Sequence, residues 1–321
     1  MTLTIALAGD TMLGRGVAGH LDAFGPGSLF APELKSVVDR ADLFLLNLEC
    51  CVSARGHRAR IPGKPFFFRA PPSAAEALAL LGVDVVTLAN NHALDYGPEA
   101  LDDTLSLLAH AGIGTVGAGP DAARARAPLV LKAGGLRIGL LGIADHPEEF
   151  AAGPDTPGTA YADLHHGVPP WLTEAVRDLR EDTDITLVTA HWGPNMAPRP
   201  VRDVERSAPA LLDAGADLVI GHSAHVFQGF TRRVLFDLGD FIDDYAVDPR
   251  LRNDLGLLFL ATLEGRSLRR VDAYPIALDY CHTRPAAPDE YAWIRSRLTR
   301  ACAPFGTTVT DEGDRLTARW A

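Results

Sequence analysis

Short apolar runs alternate with amphipathic runs over the first 230 or so residues, and this alternation constrains the fold more than any other feature. The apolar runs are nearly continuous, as expected of β-strands that are covered on both faces. They lie at 2–9, 43–48, 83–89, 136–143, 184–190 and 217–221. Helical patterns lie between them, at about 73–81, 98–111, 171–181 and 203–214. The order of strand, helix, strand predicts an α/β fold with mainly parallel strands and helices outside the sheet.

After residue 233 the pattern changes. Three apolar runs follow one another without helical patterns between them, which predicts antiparallel strands. They lie at 234–238, 255–264 and 269–278. A last helix is predicted over about 289–302, and Gly- and Pro-rich segments at 50–71 and 145–170 predict loops or lids. We predict a single domain over 1–321, with a motif core at 9–241 and C-terminal strands and a helix at 242–321.

Charge and composition narrow the classes of function. The formal net charge is -11, and the basic residues form no cluster larger than a pair, which argues against a nucleic-acid partner. The segment 1–9 has no basic lead, and no apolar stretch is long enough to span a bilayer, so we predict no signal peptide and no membrane partner. The four cysteines form no C-x-x-C pair, which favours free core thiols and a cytoplasmic location.

Polar clusters follow the predicted strands at the point where each strand ends. They are Asp10; Asn47 to Glu49; Asn90, Asn91 and His92 with Asp95; Asp145 and His146; His191 and Trp192; and His222 to His225. In α/β sheets, ligands bind beyond the carboxyl ends of the strands, so these side chains are expected at one rim. Carboxylate, amide and imidazole groups together suit a divalent cation.

Each cluster also has a purely structural interpretation. Asp10 could cap a helix, Glu49 could pair with Arg55 or Arg58, and His222 with His225 could cap a helix end. The paired asparagines could form a turn, and a lone histidine is more often a buried, hydrogen-bonded residue than a ligand. Six strand ends that all carry polar clusters would be an unusual accident, so the joint placement favours a functional site.

At these residues the sequence resembles a known family, the CapA-type proteins of poly-γ-glutamate capsule synthesis within the calcineurin-like metallophosphoesterase superfamily. The matching segments are GDTMLGR at 9–15, NLE at 47–49, FRAPP at 68–72, LANNHALDYG at 88–97, HWG at 191–193, GHSAH at 221–225 and LGDF at 238–241. The most specific part is ANNH-x-LDYG followed later by GH-x-x-H. The resemblance implies an α/β/β/α fold, in which helices flank a two-sheet β-sandwich and a metal binds at the strand ends.

The resemblance also implies a set of site residues. Candidate metal ligands are Asp10, Glu49, Asn91, His191, His222 and His225. The implied cofactor is a divalent ion (Ca, Mn, Mg or Zn), with no organic cofactor. His92 is implied as a proton donor or acceptor that Asp95 orients, and Asp10 and His225 join the catalytic candidates. Arg15, Arg69 and Trp192 lie beside the motifs and are candidates for binding substrate.

Several positions depart from the family's pattern. Metallophosphoesterases usually open with D-x-H, but the third residue here is Met12. Ser223 and Ala224 replace the middle residues of GHHPH, and Asp240 replaces the asparagine of GNF. These departures predict a reduced metal centre, with one tightly held cation and other polar groups free for proton transfer.

These residues are compatible with two catalytic functions and one non-catalytic function. In an epimerase, one group removes a Cα proton and another returns one to the opposite face. In a hydrolase, a metal-activated water attacks a phosphate or amide. Some CapA-like proteins of lasso-peptide gene clusters are implicated in epimerisation, and the reduced motif leads us to favour an epimerase acting on a peptide, including a ribosomal precursor peptide. The third possibility is a metal-stabilised subunit of a polymer synthase.

Overall fold

Two large β-sheets and eight α-helices form the structure, a computed structural model that describes residues 1–321. The strands are β1 (Thr2–Thr11), β2 (Leu43–Leu48), β3 (Cys51–Val52), β4 (Arg69–Ala70), β5 (Val85–Thr87), β6 (Gly114–Val116), β7 (Ala118–Gly119), β8 (Leu129–Ala133), β9 (Leu136–Ala144), β10 (Gly158–Thr159), β11 (Ile185–His191), β12 (Leu218–His222), β13 (Val234–Leu235), β14 (Asp240–Ile242), β15 (Leu255–Glu264), β16 (Ser267–Asp279), β17 (His282–Pro285), β18 (Thr310–Asp311) and β19 (Leu316–Arg319). The helices are α1 (Arg15–Phe24), α2 (Pro32–Val38), α3 (Ser73–Leu81), α4 (Gly97–His110), α5 (Ala122–Ala125), α6 (Pro170–Asp182), α7 (Arg202–Ala214) and α8 (Pro288–Cys302). None of these helices is long and apolar enough to cross a membrane.

The first sheet has the order β18-β19-β16-β15-β1-β2-β5-β6, with β14 paired to β1 and β17 paired to β16. Its strands β1, β2, β5 and β6 are parallel, while β15, β16 and β19 are antiparallel to their neighbours. The second sheet has the order β13-β12-β11-β9-β8, and only β8 runs antiparallel to its neighbour. The parallel strands of both sheets therefore place their carboxyl ends where ligand sites form in α/β proteins.

The two faces of each sheet contact different hydrophobic clusters. On β1, Leu3, Ile5 and Leu7 belong to the cluster between the sheets, and Ala6 and Ala8 belong to the cluster under the helices. Strand β9 divides in the same way, since Leu140 faces the other sheet and Leu141 faces α6 and α7. Such alternation is required where a strand is buried on both sides. The predicted α/β/β/α sandwich is confirmed.

Most predicted elements are present within one or two residues of their predicted bounds. One prediction was wrong. The run 234–238 was expected to pair antiparallel with the strands that follow it, but β13 is two residues long and pairs in parallel with β12. The two longer runs do form an antiparallel pair, β15 with β16. The sequence pattern also missed α1 and α2, which follow β1 and cover the outer face of the first sheet.

Gly9 allows β14 to approach β1 immediately before Asp10. A Cβ at Gly9 would lie 1.7 Å from the carbonyl oxygen of Gly239, and Asp10 N–H donates to that same oxygen at 2.8 Å. We expect Gly9→Ala to separate the strands and to lower the free energy of unfolding by about 2–3 kcal/mol. The added Cβ would collide with backbone atoms of Gly239, which cannot move aside as a flexible side chain can. Chemical denaturation measures this loss, and Gly19→Ala is the control because no atom lies within 4 Å of its Cβ position.

Candidate metal-dependent active site

The ends of parallel strands from both sheets meet at one rim. In the first sheet Asp10 lies beside Asn47 across the β1–β2 pair, and Glu49 follows β2 directly. In the second sheet His191 and His222 are register partners at the ends of β11 and β12. The sequence clusters are therefore brought together as predicted, and two sheets rather than one supply them.

A buried centre of carboxylates and imidazoles lies at this rim. His222 Nδ1 lies 3.5 Å from Asp10 Oδ1, and His225 Nδ1 lies 3.3 Å from Asp10 Oδ2. His191 Nε2 lies 3.8 Å from Glu49 Oε1. These distances exceed ordinary hydrogen bonds between nitrogen and oxygen. These side chains therefore lie close together without hydrogen-bonding to one another at these atoms.

Several of these atoms have no hydrogen-bond partner although they are buried. They are both carboxylate oxygens of Glu49, Nε2 of His191, both ring nitrogens of His222, Oδ2 of Asp240 and Oδ1 of Asn91. Buried polar groups without partners are costly and call for an explanation. Asp10, Glu49 and His191 offer ligand atoms within 4.8 Å of one another, as do Asp10, His225 and Asp240. This donor set fits a divalent cation.

The structural interpretations of Asp10, Glu49 and the two histidines do not account for this centre, whereas the asparagines do lie in a turn after β5. Arg58, one of the two possible partners of Glu49, donates to the Tyr96 hydroxyl instead. Arg55 pairs with Glu99 and Asp103, so its guanidinium does not neutralise Glu49. Asp10 does not cap a helix, because it accepts hydrogen bonds from Asn47 Nδ2 at 2.8 Å and from Ser223 N–H at 3.2 Å. No helix begins or ends at His222 or His225.

The pKa values of the buried carboxyl groups are shifted in opposite directions. Burial raises the pKa of Glu49 well above its ordinary value, and it does the same for Asp240, where the charge of Asp243 adds to the effect. Burial would also raise the pKa of Asp10, but the nearby imidazoles of His222, His225 and His191 outweigh it and lower that pKa. Ionised Glu49 and Asp240 therefore need a positive partner, which a cation supplies.

Asparagines organise the centre from the first sheet. Asn90 Nδ2 donates to Asn47 Oδ1 at 2.9 Å and to the Leu48 carbonyl at 2.8 Å, while Asn90 Oδ1 accepts from His92 N–H at 2.9 Å. Asn47 Nδ2 in turn donates to Asp10. The Asn90 side chain thus orders the loop after β5, while Asn91 keeps a buried side-chain oxygen unpaired.

His92 and Asp95 form one imidazole–carboxylate pair. The distance between His92 Nδ1 and Asp95 Oδ2 is 2.5 Å, and Phe68 stacks on the imidazole with ring centroids 4.0 Å apart. Nε2 of His92 is turned toward the centre, 4.0 Å from Glu49 Oε1. Burial lowers the pKa of His92 to about 4, although Asp95 opposes the shift. His92 is therefore neutral at neutral pH and can accept a proton.

His225 and Asp240 form a second such pair. His225 Nδ1 lies 2.8 Å from Asp240 Oδ1, and His225 has a φ of 57°, in the left-handed region. Ser223, two residues earlier, has a φ of 107°. Non-glycine residues in these regions are strained, and such strain clusters at functional sites. The Asp240 substitution noted in the sequence thus supplies the partner of a site histidine.

A pocket of about 330 Å³ opens onto both pairs. Its lining residues are Arg15, Phe66, Phe68, His92, Asn195, Met196, His225, Tyr245, Ala246 and Asn253. The aromatic side chains and Met196 give the pocket an apolar wall, and the two histidines supply its reactive groups. Such a combination of apolar walls and a few polar groups is typical of a substrate pocket.

The three residues predicted to bind substrate occupy different positions. Arg15 lines the pocket, where it pairs with Asp244 at 2.9 Å. Arg69 does not line it, because its guanidinium donates to the carbonyls of Arg55 and Gly56. Trp192 is only 2% exposed, and its indole N–H donates to the Phe236 carbonyl at 3.0 Å. The placement of Trp192 contradicts a role in substrate contact, since its ring is packed in the core behind β11 and β12.

Other site residues carried no usable signal in the sequence. Lys64, from the loop between β3 and β4, lies 3.2 Å from Asp95 Oδ1 and donates to the Asn91 carbonyl at 2.6 Å. Tyr245 is half-buried with a buried, unpartnered hydroxyl, and its ring lies 5.4 Å from that of His225. Neither residue belongs to a strand-end cluster. Met12, at the position of the usual histidine, is fully buried and its sulfur accepts from Gly14 N–H at 3.1 Å.

A two-sheet sandwich with candidate metal ligands at its strand ends corresponds to the calcineurin-like metallophosphoesterase fold. The family described as "Bacterial capsule synthesis protein PGA_cap" matches residues 4–245, and the chain belongs to this family. The resemblance to CapA-type proteins is therefore confirmed.

Similar proteins carry names from the same area of biology. The "Probable polyglutamine synthesis accessory protein" of Mycobacterium tuberculosis is 31% identical over 375 aligned positions, covering 98% of this chain and 95% of the relative. The "PGA biosynthesis protein CapA" of Bacillus subtilis is 29% identical and covers 75% of this chain and 63% of that protein. The "Capsule biosynthesis protein CapA" of Bacillus anthracis is 28% identical, with coverages of 75% and 60%.

Proposed function

We propose that this protein is a metal-dependent enzyme that epimerises an amino-acid residue of a peptide. The observation that carries the proposal is that two histidines line one pocket beside a buried centre of carboxylates and imidazoles: His92, which contacts Asp95, and His225, which contacts Asp240. Epimerisation needs two groups that exchange protons with one carbon, and each must be oriented. Relatives named for polyglutamine and PGA synthesis support a peptide as the substrate.

The reaction assigns a separate role to each pair. Neutral His92 removes the Cα proton through Nε2, while Asp95 holds its Nδ1–H; the electrons of the C–H bond pass into the adjacent carbonyl. His225, oriented by Asp240, returns a proton to the other face of the carbon, and the carbonyl re-forms. Asp10, Glu49, His191 and His222 would hold the cation, which would stabilise negative charge on the substrate oxygen.

A hydrolase is the second candidate, and one observation favours it. Asp10 belongs both to the group with Glu49 and His191 and to the group with His225 and Asp240, so it could bridge two cations. Two-metal sites of this kind hold an attacking water and a leaving group. In that case His225 is a ligand and is not free to transfer protons.

Incubation of candidate peptides with metal-loaded protein in deuterated water tests the proposal. A gain of one dalton without cleavage, with inversion shown by chiral amino-acid analysis, is the expected result. A gain of water with chain scission would establish the hydrolase instead. Bound metal without either change would favour the non-catalytic subunit.

Arg15 is expected to contribute to substrate binding. Its guanidinium lies in the pocket, 5.6 Å from the centre of the Phe68 ring, and its side chain is 38% exposed. A substrate carboxylate can share it with Asp244, so we expect Arg15→Ala to raise KM about tenfold with a smaller change in kcat. Steady-state kinetics with Arg69→Ala as control measure this, because Arg69 binds loop carbonyls instead. An unchanged KM for Arg15→Ala would exclude the contact.

A further inference from the structure

A second pocket, of about 350 Å³, lies between the start of α7 and the end of α8. Three arginines line it: Arg199, Arg297 and Arg300. We refer to it as the arginine pocket. Proline and phenylalanine side chains form much of the rest of its wall, and Glu205 is its one acidic residue.

The arginines of this pocket have no carboxylate partner. Arg297 donates to the backbone carbonyls of Leu251 and Phe227, and Arg300 donates to the Ser296 hydroxyl. None of the three forms an ion pair with Glu205, although the chain is strongly acidic overall. Burial, helped by the charge of Arg300, lowers the pKa of Arg297 to about 10, as expected for a cation without a compensating anion. With this pKa the guanidinium of Arg297 stays charged at neutral pH.

Two chain segments connect the arginine pocket with the pocket that His92 and His225 line, which we refer to as the catalytic pocket. Asn195 and Met196 line the catalytic pocket, and Arg199 follows three residues later in the arginine pocket. Likewise His225 lines the first pocket and Gly229 lines the second. Four residues of extended chain span at most about 14 Å, so the pockets lie within reach of one short peptide.

We propose that the arginine pocket is an accessory subsite that binds side-chain carboxylates of an acidic peptide substrate whose reacting residue occupies the catalytic pocket. The arginine fork matches carboxylate geometry, and the pocket is wide enough for more than one acidic side chain. In the catalytic pocket the one arginine, Arg15, is already paired with Asp244, so the unpaired arginines of the arginine pocket are available to attract further acidic residues. The peptide nature of the ligand rests on the proposed function.

Binding of a fluorescein-labelled hexaglutamate peptide, followed by anisotropy, tests the subsite without requiring turnover. The double variant Arg199→Gln/Arg300→Gln is expected to bind at least about tenfold more weakly than the native protein, a difference of about 1.4 kcal/mol. Arg297 is left intact because it holds two loop carbonyls. The control is Arg124→Gln/Arg137→Gln, which removes the same charge from exposed positions outside both pockets.

The outcomes separate the proposal from its alternatives. Retained affinity in the control variant, together with no binding of a hexaglutamine peptide, supports a carboxylate subsite. Equally weakened peptide binding in both double variants would show that net charge alone explains the effect, and it would overturn the proposal. Displacement of the peptide by inorganic phosphate at lower concentrations than by free glutamate would assign the pocket to phosphate and overturn the acidic-peptide ligand. Peptide binding with no deuterium uptake would leave the subsite in place and contradict only the epimerase.

Discussion

Replacing His92 by alanine is expected to reduce the rate of turnover at least about a hundredfold while leaving the metal and the fold in place. His92 lines the catalytic pocket, and its Nε2 is directed toward the centre rather than toward a structural partner. A positioned general base is worth about 10² to 10⁴ in rate, or roughly 3 to 5 kcal/mol of barrier. Metal content, melting temperature and turnover should be measured on one preparation.

Asp95→Asn is expected to lose less than His92→Ala. Asp95 orients the imidazole through a 2.5 Å contact, and it also accepts from Phe68 N–H at 2.6 Å and pairs with Lys64. An amide at this position disturbs the orientation of the imidazole but leaves the proton carrier, His92, in place. His146→Ala is the matched control, because His146 neighbours His191 but does not line the pocket. Near-normal turnover in His92→Ala, or joint loss of metal and stability, would contradict the assignment.

The fold could be predicted from sequence because its strands are buried on both faces. Segments such as β2 and β11 are buried throughout and mainly apolar, and that pattern holds whatever packs against them. Strand β13 could not be placed in this way. A run of five mainly apolar residues does not specify which neighbour it pairs with, and here the loop before Val234 brings it beside β12.

The site could be predicted to the extent that it is made of strand ends. Asp10, His191 and His222 follow from their positions in the alternating pattern, because parallel strands present their last residues at a common edge. Lys64 and Tyr245 reach the same centre from loops, and loop paths leave no periodic signal. The alternating pattern also does not predict the direction in which a side chain points after a strand ends.

Trp192 illustrates this last limit. It follows His191 directly, so its distance along the chain suggested a place in the site. Successive residues of a strand point to opposite faces, however, and Trp192 turns into the hydrophobic core while His191 turns to the centre. Arg15 was also a candidate from its place beside a motif, and the structure puts its guanidinium in the pocket together with Tyr245.

Removal of the divalent metal is expected to abolish turnover and to lower the melting temperature by several degrees. Ligands that bind only the folded state stabilise it by RT ln(1 + [L]/Kd), about 3 to 4 kcal/mol when the metal is at 100 to 1,000 times its Kd. Chelation followed by readdition of Ca, Mn, Mg or Zn, with elemental analysis, identifies the ion that restores both properties. Full activity in protein without stoichiometric metal would contradict the metal-dependent function.

Glu49→Gln is expected to change stability in opposite directions with and without that metal. Both carboxylate oxygens of Glu49 are buried without hydrogen-bond partners, and burial raises the pKa of this carboxyl well above its ordinary value. A carboxyl whose pKa is raised on folding destabilises the folded state once the pH exceeds the pKa that the group has in the unfolded chain. At neutral pH, removal of this charge should therefore make the metal-free protein more stable. In the presence of metal the same variant loses a ligand, and we expect at least about a hundredfold weaker binding and a lower melting temperature than the native protein. Glu99→Gln is the control, because Glu99 is an exposed partner of Arg55 and should change neither value. A Glu49→Gln variant that melts lower than the native protein in both states would show that the carboxylate stabilises the fold directly rather than through a cation.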